Sequence, residues 1–243
     1  MANRKSVLIT GASGDIGQSL CQGFKKLDWK VIATDKEQIQ SVQADHFIEI
    51  DLDLICNNDK YFIDKIKSIK KLISGELTTL INNAALQIVK PAKEISLQDW
   101  QRTLNTNLTA PFILSMAFLD ELKAVYGSII NISSIHAKLT KPNFVAYSAS
   151  KAGLSGLTKS LAVEIGDRVR VNSISPAAIN TQMLMKGFTD NLSGLNKLAD
   201  YHPSKIIGTT TDILDAAIYL ANGDKFVNGL EITLDGGISS RLH

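Results

Sequence analysis

Ser6-Val7-Leu8-Ile9-Thr10-Gly11-Ala12-Ser13-Gly14-Asp15-Ile16-Gly17 decides how this chain is read. The first five residues form a short apolar run with β-branched members, the pattern of a buried strand. The run passes directly into a glycine-rich turn, and Leu20, Phe24 and Leu27 then recur at helical spacing. Glycines at a strand-to-helix turn let the backbone approach a ligand closely. The helix N-terminus beyond offers unpaired N–H groups and a positive dipole end to a pyrophosphate. Lys30-Val31-Ile32-Ala33-Thr34 reads as a second strand and ends at Asp35. A carboxylate there can accept hydrogen bonds from adenosine ribose hydroxyls, and it repels a 2′-phosphate. Strand, turn, helix, strand and acid in this order predict a dinucleotide site along Gly11, Ser13, Asp15, Ile16 and Gly17, with Asp35 as the ribose reader.

Outward from this unit, strand-like runs near 46–50, 78–81, 128–132, 169–174 and 230–234 alternate with helical segments. That alternation predicts an α/β fold, a doubly wound parallel sheet of the Rossmann type with helices on both faces. A chain of 243 residues with 44% hydrophobic and 21% charged residues can bury one large core, so residues 1–243 are expected to form a single domain. No linker, repeat or low-complexity tract interrupts it. No apolar stretch reaches the roughly 18 residues of a membrane span, and Met1 to Lys5 leave no room for a signal peptide before the first strand. Net charge is +2, and the cluster Lys65, Lys67, Lys70, Lys71 reads as a solvated helix face rather than a nucleic-acid surface. Cys21 and Cys56 have no second ligand at metal spacing. They are expected to be thiols in a reducing cytoplasm, with no metal site.

A second stretch carries the chemistry. Ser134-Ile135-His136 leads, thirteen residues after Ser134, to Tyr147, and Lys151 follows four residues later. On a helix i and i+4 share a face, which brings the Lys151 ammonium beside the Tyr147 phenol. A free phenol, with a pKa near 10, is a poor base at neutral pH, and a neighbouring cation favours its ionised form. Ser134 could then donate to a reacting carbonyl or alcohol oxygen. The set predicts proton transfer at a carbon–oxygen bond.

Together these stretches resemble the short-chain dehydrogenase/reductases over nearly the whole chain. The family's Thr-Gly-x-x-x-Gly-x-Gly turn is approached by Thr10 to Gly17, with Asp15 in the middle glycine slot and Gly14 one residue early. Its Asn-Asn-Ala-Gly appears as Asn82-Asn83-Ala84-Ala85, its active-site asparagine as Asn107, and its Asn-x-Ser-Ser as Asn131 to Ser134. Its Pro-Gly appears as Pro176-Ala177, and Asn228-Gly229-Leu230 with Leu234 to Gly237 fits its ending. The resemblance implies a seven-stranded sheet and an NAD(P)-dependent oxidoreductase. It implies catalytic roles for Asn107, Ser134, Tyr147 and Lys151. Asn107 would hold a helix kink and a water that links Lys151 to solvent. Cofactor contacts are implied at Asn83, Ala84, Tyr147, Lys151, Pro176 and Thr181, with Asp51 and Leu52 on the adenine side, although Asp51 also reads as a helix cap. Family habit implies a homotetramer or homodimer.

Three family glycines are replaced, by Asp15, Ala85 and Ala177. The alanines are tolerable if they keep negative φ, and Asp15 is expected to cap its helix. Asp35 favours NAD over NADP, while Lys36 next door could take a phosphate. Gln87 and His136 are expected at the pocket mouth. This pairing resembles 3-hydroxybutyrate dehydrogenases, although the lysine those enzymes place three before the tyrosine is Phe144 here. Glucose and gluconate dehydrogenases share parts of it. Residues 183–206, with Met183, Met185, Phe188 and Leu192, match the family's substrate lid. The expected substrate, touched by Gln87, Ser134, His136 and Met183, is a small polar hydroxy acid, sugar or polyol. Two alternatives stand: an NADPH-dependent 3-oxoacyl-thioester reductase, and an NAD(H)-binding regulator or scaffold without turnover.

Overall fold

The computed structural model describes residues 4–185 and 192–241. Seven strands, β1 (Ser6–Thr10), β2 (Lys30–Asp35), β3 (His46–Glu49), β4 (Thr79–Asn82), β5 (Ser128–Ile132), β6 (Arg170–Pro176) and β7 (Glu231–Leu234), form one parallel sheet. Their order is β3-β2-β1-β4-β5-β6-β7, so the direction of winding reverses between β1 and β4. A ligand crevice opens at such a switch point, outside the carboxyl ends of the strands.

Between the strands run α1 (Asp15–Lys26), α2 (Leu52–Ile55), α3 (Asp59–Ile73), α4 (Leu97–Leu104), α5 (Ala110–Ala117), α6 (Leu119–Lys123) and α7 (Val145–Glu164). After β6 come α8 (Gln182–Met185), α9 (Leu192–Tyr201) and α10 (Thr210–Asn222). Alternation along the strands sorts the core into two layers, because successive side chains point to opposite faces. Leu8, Ile32, Leu80, Ile129 and Val171 pack against α2, α3, α5, α6 and α7. Val7, Ile9, Val31, Ala33, Ile81, Ile130 and Ile174 pack against α1 and α10. Strands buried on both faces read as continuous apolar runs, which is why β1, β2, β4, β5 and β6 are visible in the sequence, whereas the edge strands β3 and β7 are only partly buried.

One feature of the helices is chemically important. α4 passes into α5 through a single π-helical turn, Asn105–Thr109. Such a turn widens the backbone ladder by one residue and bends the helix. Asn107 lies inside it, fully buried, where the sequence predicts a kink.

Candidate active site

The glycine turn is shaped by sterics at two of its residues. Gly11 sits at φ +66°, and a Cβ there would lie 2.6 Å from the Ala84 Cα. A Cβ on Gly17 would lie 2.1 Å from the Gly11 carbonyl oxygen. Gly14 is different: its nearest neighbour would be the same oxygen at 3.6 Å, an ordinary contact. Thr10 Oγ1 accepts from the Asn83 and Ala84 amides, both at 3.1 Å, and Asn83 Nδ2 donates to the Thr10 and Gly11 carbonyls, both at 3.0 Å. Asn83 and Ala84 therefore hold this turn to the end of β4. Ile16 packs against the core beneath the turn.

Asp15 does not cap α1. The cap residue is Gly14, which provides no side-chain bond, and Asp15 is already the first helical residue. Its carboxylate instead accepts from the Gln182 amide at 2.5 Å, tying the turn to the head of α8. Ala85 and Ala177 keep negative φ, so their methyl groups impose no backbone strain.

Asp35 is fixed beside the turn. Its Oδ2 accepts from the Ser13 amide at 2.9 Å and its Oδ1 from the Lys36 amide at 2.7 Å. Ser13 Oγ donates to the Glu37 carbonyl at 2.6 Å. The Lys36 ammonium pairs with Asp51 Oδ2 at 3.0 Å. Asp51 Oδ1 caps α2, accepting from the Asp53 and Leu54 amides, and the buried Leu52 opens that helix. Burial alone would raise the Asp51 carboxyl. The Lys36 bond and the capping amides outweigh it and hold the group below its ordinary range.

Ser134, Tyr147 and Lys151 come together beyond β5, all nearly buried. The Ser134 side chain hydrogen-bonds the phenol, and Ser134 Oγ accepts from the His136 amide at 3.2 Å. The Lys151 ammonium lies over the Tyr147 ring, 5.6 Å from its centroid, and donates to the Ile132 carbonyl at 2.7 Å. The expectation that Lys151 lowers the phenol's pKa does not hold in this protein without ligand. Burial pushes Tyr147 up to about 12, and the Ser134 bond is what pulls against it. Burial also pushes Lys151 down to about 7. Removing water disfavours both charged forms, and a lysine half neutral at pH 7 is a weak source of positive charge.

Asn107 ties the framework together. Its Oδ1 accepts from the Leu86 amide at 2.7 Å, and its Nδ2 donates to the Leu86 carbonyl and to Ser150 Oγ, both at 2.9 Å. Ser150 in turn donates to the Tyr147 carbonyl at 2.7 Å. The asparagine thus joins the turn after β4 to the helix carrying the tyrosine and lysine.

The Lys151 value has a consequence for stability. An unfolded lysine keeps its proton to about 10.5, so between pH 7 and 8.5 the unfolded chain binds more protons than the folded one, and stability rises. Below pH 7 both states hold the proton, and the cost of burying the ammonium is present in full. Above pH 9 the sign reverses, because burial keeps Cys21 and Cys56 protonated to about 12, whereas an unfolded thiol titrates near 9.0. Calorimetry without cofactor should show a gain of roughly 1–2 kcal/mol, about 2–6 °C in Tm, from pH 7 to 8.5. Lys151→Met should remove that rise.

Aromatic stacking holds the segment after Ser134 against the start of α7. The His136 ring stacks on Phe144, centroids 4.6 Å apart at 13°, and meets Tyr147 edge-on at 5.9 Å. Lys141 Nζ lies 4.7 Å from the centre of the Phe144 ring. Burial, then the charge of Lys141, lowers the His136 pKa and favours a neutral imidazole. Its Nδ1 lies 3.3 Å from Thr140 Oγ1. Gln87 is half-buried on the facing segment. The two sides are stitched by the Lys90 amide, which donates to the Asn143 carbonyl at 3.2 Å. Pro176 is buried at the end of β6, and Thr181 Oγ1 accepts from the Leu184 amide at 3.3 Å. Met183 is 52% exposed on α8. Residues 186–191 of the expected lid, Phe188 among them, lie outside the described residues. Leu192 opens α9.

A conserved-fold family model for short chain dehydrogenases matches residues 5–192. The chain belongs to the short-chain dehydrogenase family. Across this chain's full length and 98% of its own, an uncharacterized oxidoreductase of Thermotoga maritima is 32% identical. The ligand-free aldohexose dehydrogenase of Thermoplasma acidophilum superposes with a TM-score of 0.90 at 29% identity, over 99% of this chain and 96% of its own. A 4-hydroxyisoleucine dehydrogenase complexed with NADH gives a TM-score of 0.87 at 28% identity, over 98% of this chain and all of its own. At the same identity, TM-score and coverage, ElxO is seen with NADP bound. The short-chain dehydrogenase is therefore an oxidoreductase that works with a nicotinamide cofactor. Among the described residues no group of three or more His, Cys, Asp or Glu side chains could hold a metal. No described helix is long and apolar enough to cross a membrane.

Proposed function

We propose that this dehydrogenase oxidises or reduces a small polar secondary alcohol or its carbonyl, with NAD as the preferred cofactor. The buried cluster of Ser134, Tyr147 and Lys151 at the carboxyl ends of the strands carries the reading. Gly11 and Gly17 fit the cofactor, since a side chain at either would fill the turn against which a pyrophosphate lies. When bound, the nicotinamide supplies the hydride acceptor or donor. Tyr147 takes the hydroxyl proton in oxidation and returns it in reduction. Ser134 holds the substrate oxygen as its charge changes. Lys151 anchors the cofactor ribose beside the phenol, and Asn107 keeps the helix carrying both in register. Pro176 and Thr181 border the nicotinamide, and Gln87, His136 and Met183 face the substrate.

The preference for NAD rests on Asp35. Its carboxylate stands at the end of β2 beside the glycine turn, a charge that would repel a 2′-phosphate, and the neighbouring cation, Lys36, is engaged with Asp51. Purified protein offered NAD and NADP against 3-hydroxy acids, sugars, sugar acids and polyols should turn over with NAD on one polar class, read by nicotinamide absorbance. Asp35→Ala should shift the NAD-to-NADP ratio of kcat/KM at least about tenfold toward NADP. NADP-only turnover by the wild-type protein would sink the cofactor assignment. The exposed Met183 and Met185 favour the second reading, a 3-oxoacyl-thioester reductase. Turnover of acetoacetyl thioesters with NADPH would establish it. Binding of NADH with no turnover on any of these would favour a regulator or scaffold.

Residues 1–243 are read as one domain, in a reducing cytoplasm that suits the free Cys21 and Cys56. We place a homotetramer interface on α4, α5, α7 and β7, where Phe112 and Val163 are exposed.

A further inference from the structure

Glu231 opens the edge strand β7, yet its side chain is only 9% exposed. Oε1 accepts from Ser175 Oγ at 2.6 Å, at the end of β6, and from Ser155 Oγ at 3.4 Å, one turn beyond Lys151 on α7. Oε2 pairs with Lys138 Nζ at 3.0 Å. Lys138 directly follows the 3-10 turn Ile135–Ala137, which Ser134 caps. Behind this carboxylate, Ser155 Oγ and Ser133 Oγ share a hydrogen bond at 3.0 Å, and Ser133 Oγ donates to the Lys151 carbonyl at 3.2 Å. One carboxylate thus grips the three elements that carry Ser134, the Tyr147–Lys151 pair and Pro176. Burial would raise its pKa, but the Ser175 and Lys138 bonds and the charges of Lys138 and Lys159 hold it down, so it is ionised at neutral pH.

Apart from the Glu231 contact and the Ser134 bond to the phenol, the turn after Ser134 is held by short-range contacts. Ala137 donates to the Ser134 carbonyl, Lys138 and Leu139 donate to the Ile135 carbonyl, and His136 stacks on Phe144. We propose that Glu231 is a positioning residue: through Lys138 it holds the Ser134–His136 turn against the phenol, reaching across β6 from the sheet edge. This rests on the reading of Ser134 and Tyr147 as the proton-transfer pair. An amide at residue 231 would still accept from Ser175 and Ser155 at its oxygen. Its NH2 group would then face the Lys138 ammonium, donor against donor. Flipped, it would donate to the serine hydroxyls and leave Lys138 only a neutral acceptor, and either way the ion pair that holds the turn is lost.

Glu231→Gln should lower kcat about tenfold on the substrate the panel returns, since small misplacements of reacting groups are costly. The NADH dissociation constant should stay within about twofold, because the amide keeps the Ser175 and Ser155 bonds that hold the end of β6 and the helix α7 beside the cofactor. Lys138→Met should give a similar loss, and the double variant no further loss, as expected for partners in one contact. A second readout is independent of turnover: the His136 ring titration followed by NMR. The groups facing that ring are Lys141, Thr140, Phe144 and Tyr147. Neutralising Glu231 removes a negative charge, which by Coulomb's law can only lower the His136 pKa. Release of the turn exposes the imidazole and raises it toward the ordinary value. A rise in Glu231→Gln is expected. An unchanged or lowered His136 pKa, or kcat losses that multiply in the double variant, would overturn the proposal. If no compound in the panel turns over, the His136 titration decides alone, and the failure belongs to the catalytic reading.

Discussion

Tyr147→Phe is expected to cut kcat/KM by about 10³-fold while NADH binds within about twofold of wild type. A positioned proton donor or acceptor contributes about 10²–10⁴-fold, and the phenylalanine ring fills the same space without the proton. The loss should not fall to the low end of that range, because the site is dry. Tyr147 is buried, and its phenol faces Ser134 rather than solvent, so water has poor access to the missing role. Initial rates with saturating NAD, together with fluorescence titration of NADH, test this directly. A loss under tenfold would move the proton transfer away from Tyr147, and loss of NADH binding would make the residue structural. The wild-type pH profile adds a check. Burial places the phenol at about 12, so in the oxidation direction, where Tyr147 must be deprotonated to accept, an acid limb near neutrality that is absent in Tyr147→Phe would mean that ligand binding supplies the missing pKa depression.

Gly17→Ala should destabilise the fold by about 3 kcal/mol, roughly 6–12 °C in Tm, and weaken NADH binding at least about tenfold. The added methyl carbon would lie 2.1 Å from the Gly11 carbonyl oxygen and 2.7 Å from the Ala12 Cα. Both are backbone atoms. That turn cannot move freely, because Asn83 and Thr10 bond it to the end of β4. Gly14→Ala is the control. Its Cβ would find the same oxygen at 3.6 Å, and the change should lower Tm by no more than roughly 2–4 °C, the cost of about 1 kcal/mol that alanine brings at a helix N-cap. Scanning calorimetry and NADH titration of the two variants, side by side, would separate the glycines required by space from the one displaced into an undemanding slot. Equal effects would mean that the turn reads backbone freedom rather than room.

The fold was legible because its inner strands are buried on both faces, so each of them appears as an apolar run; the edge strands β3 and β7 are partly exposed and carry a weaker signal. Tyr147 and Lys151 were legible as a pair because helical spacing is fixed geometry. Their protonation was not, because it depends on how dry the site is, and spacing carries no record of burial. Asp15 shows the limit of a local rule. An acid in the first turn suggests a cap, but the carboxylate found a partner 167 residues away, at Gln182. Glu231 was missed for the opposite reason. A glutamate on an edge strand, between Leu230 and Ile232, reads as solvent-facing, and only the placement of Lys138 and Ser175 around it shows that it points inward. Asn107 signalled a kink through its motif alone. The π-turn and the Leu86 and Ser150 partners that explain the kink are long-range contacts.

The Lys90–Asn143 bond divides labour within the enzyme. It joins the segment that bears Gln87, after β4, to the one that bears Phe144 and Tyr147, at the start of α7. The head of α8 is tied elsewhere: the Gln182 amide donates to the Asp15 side chain, on α1. A substitution that moves the Gln182 backbone therefore loads the glycine turn, and leaves the Lys90–Asn143 join and the helix that bears Tyr147 and Lys151 as they are.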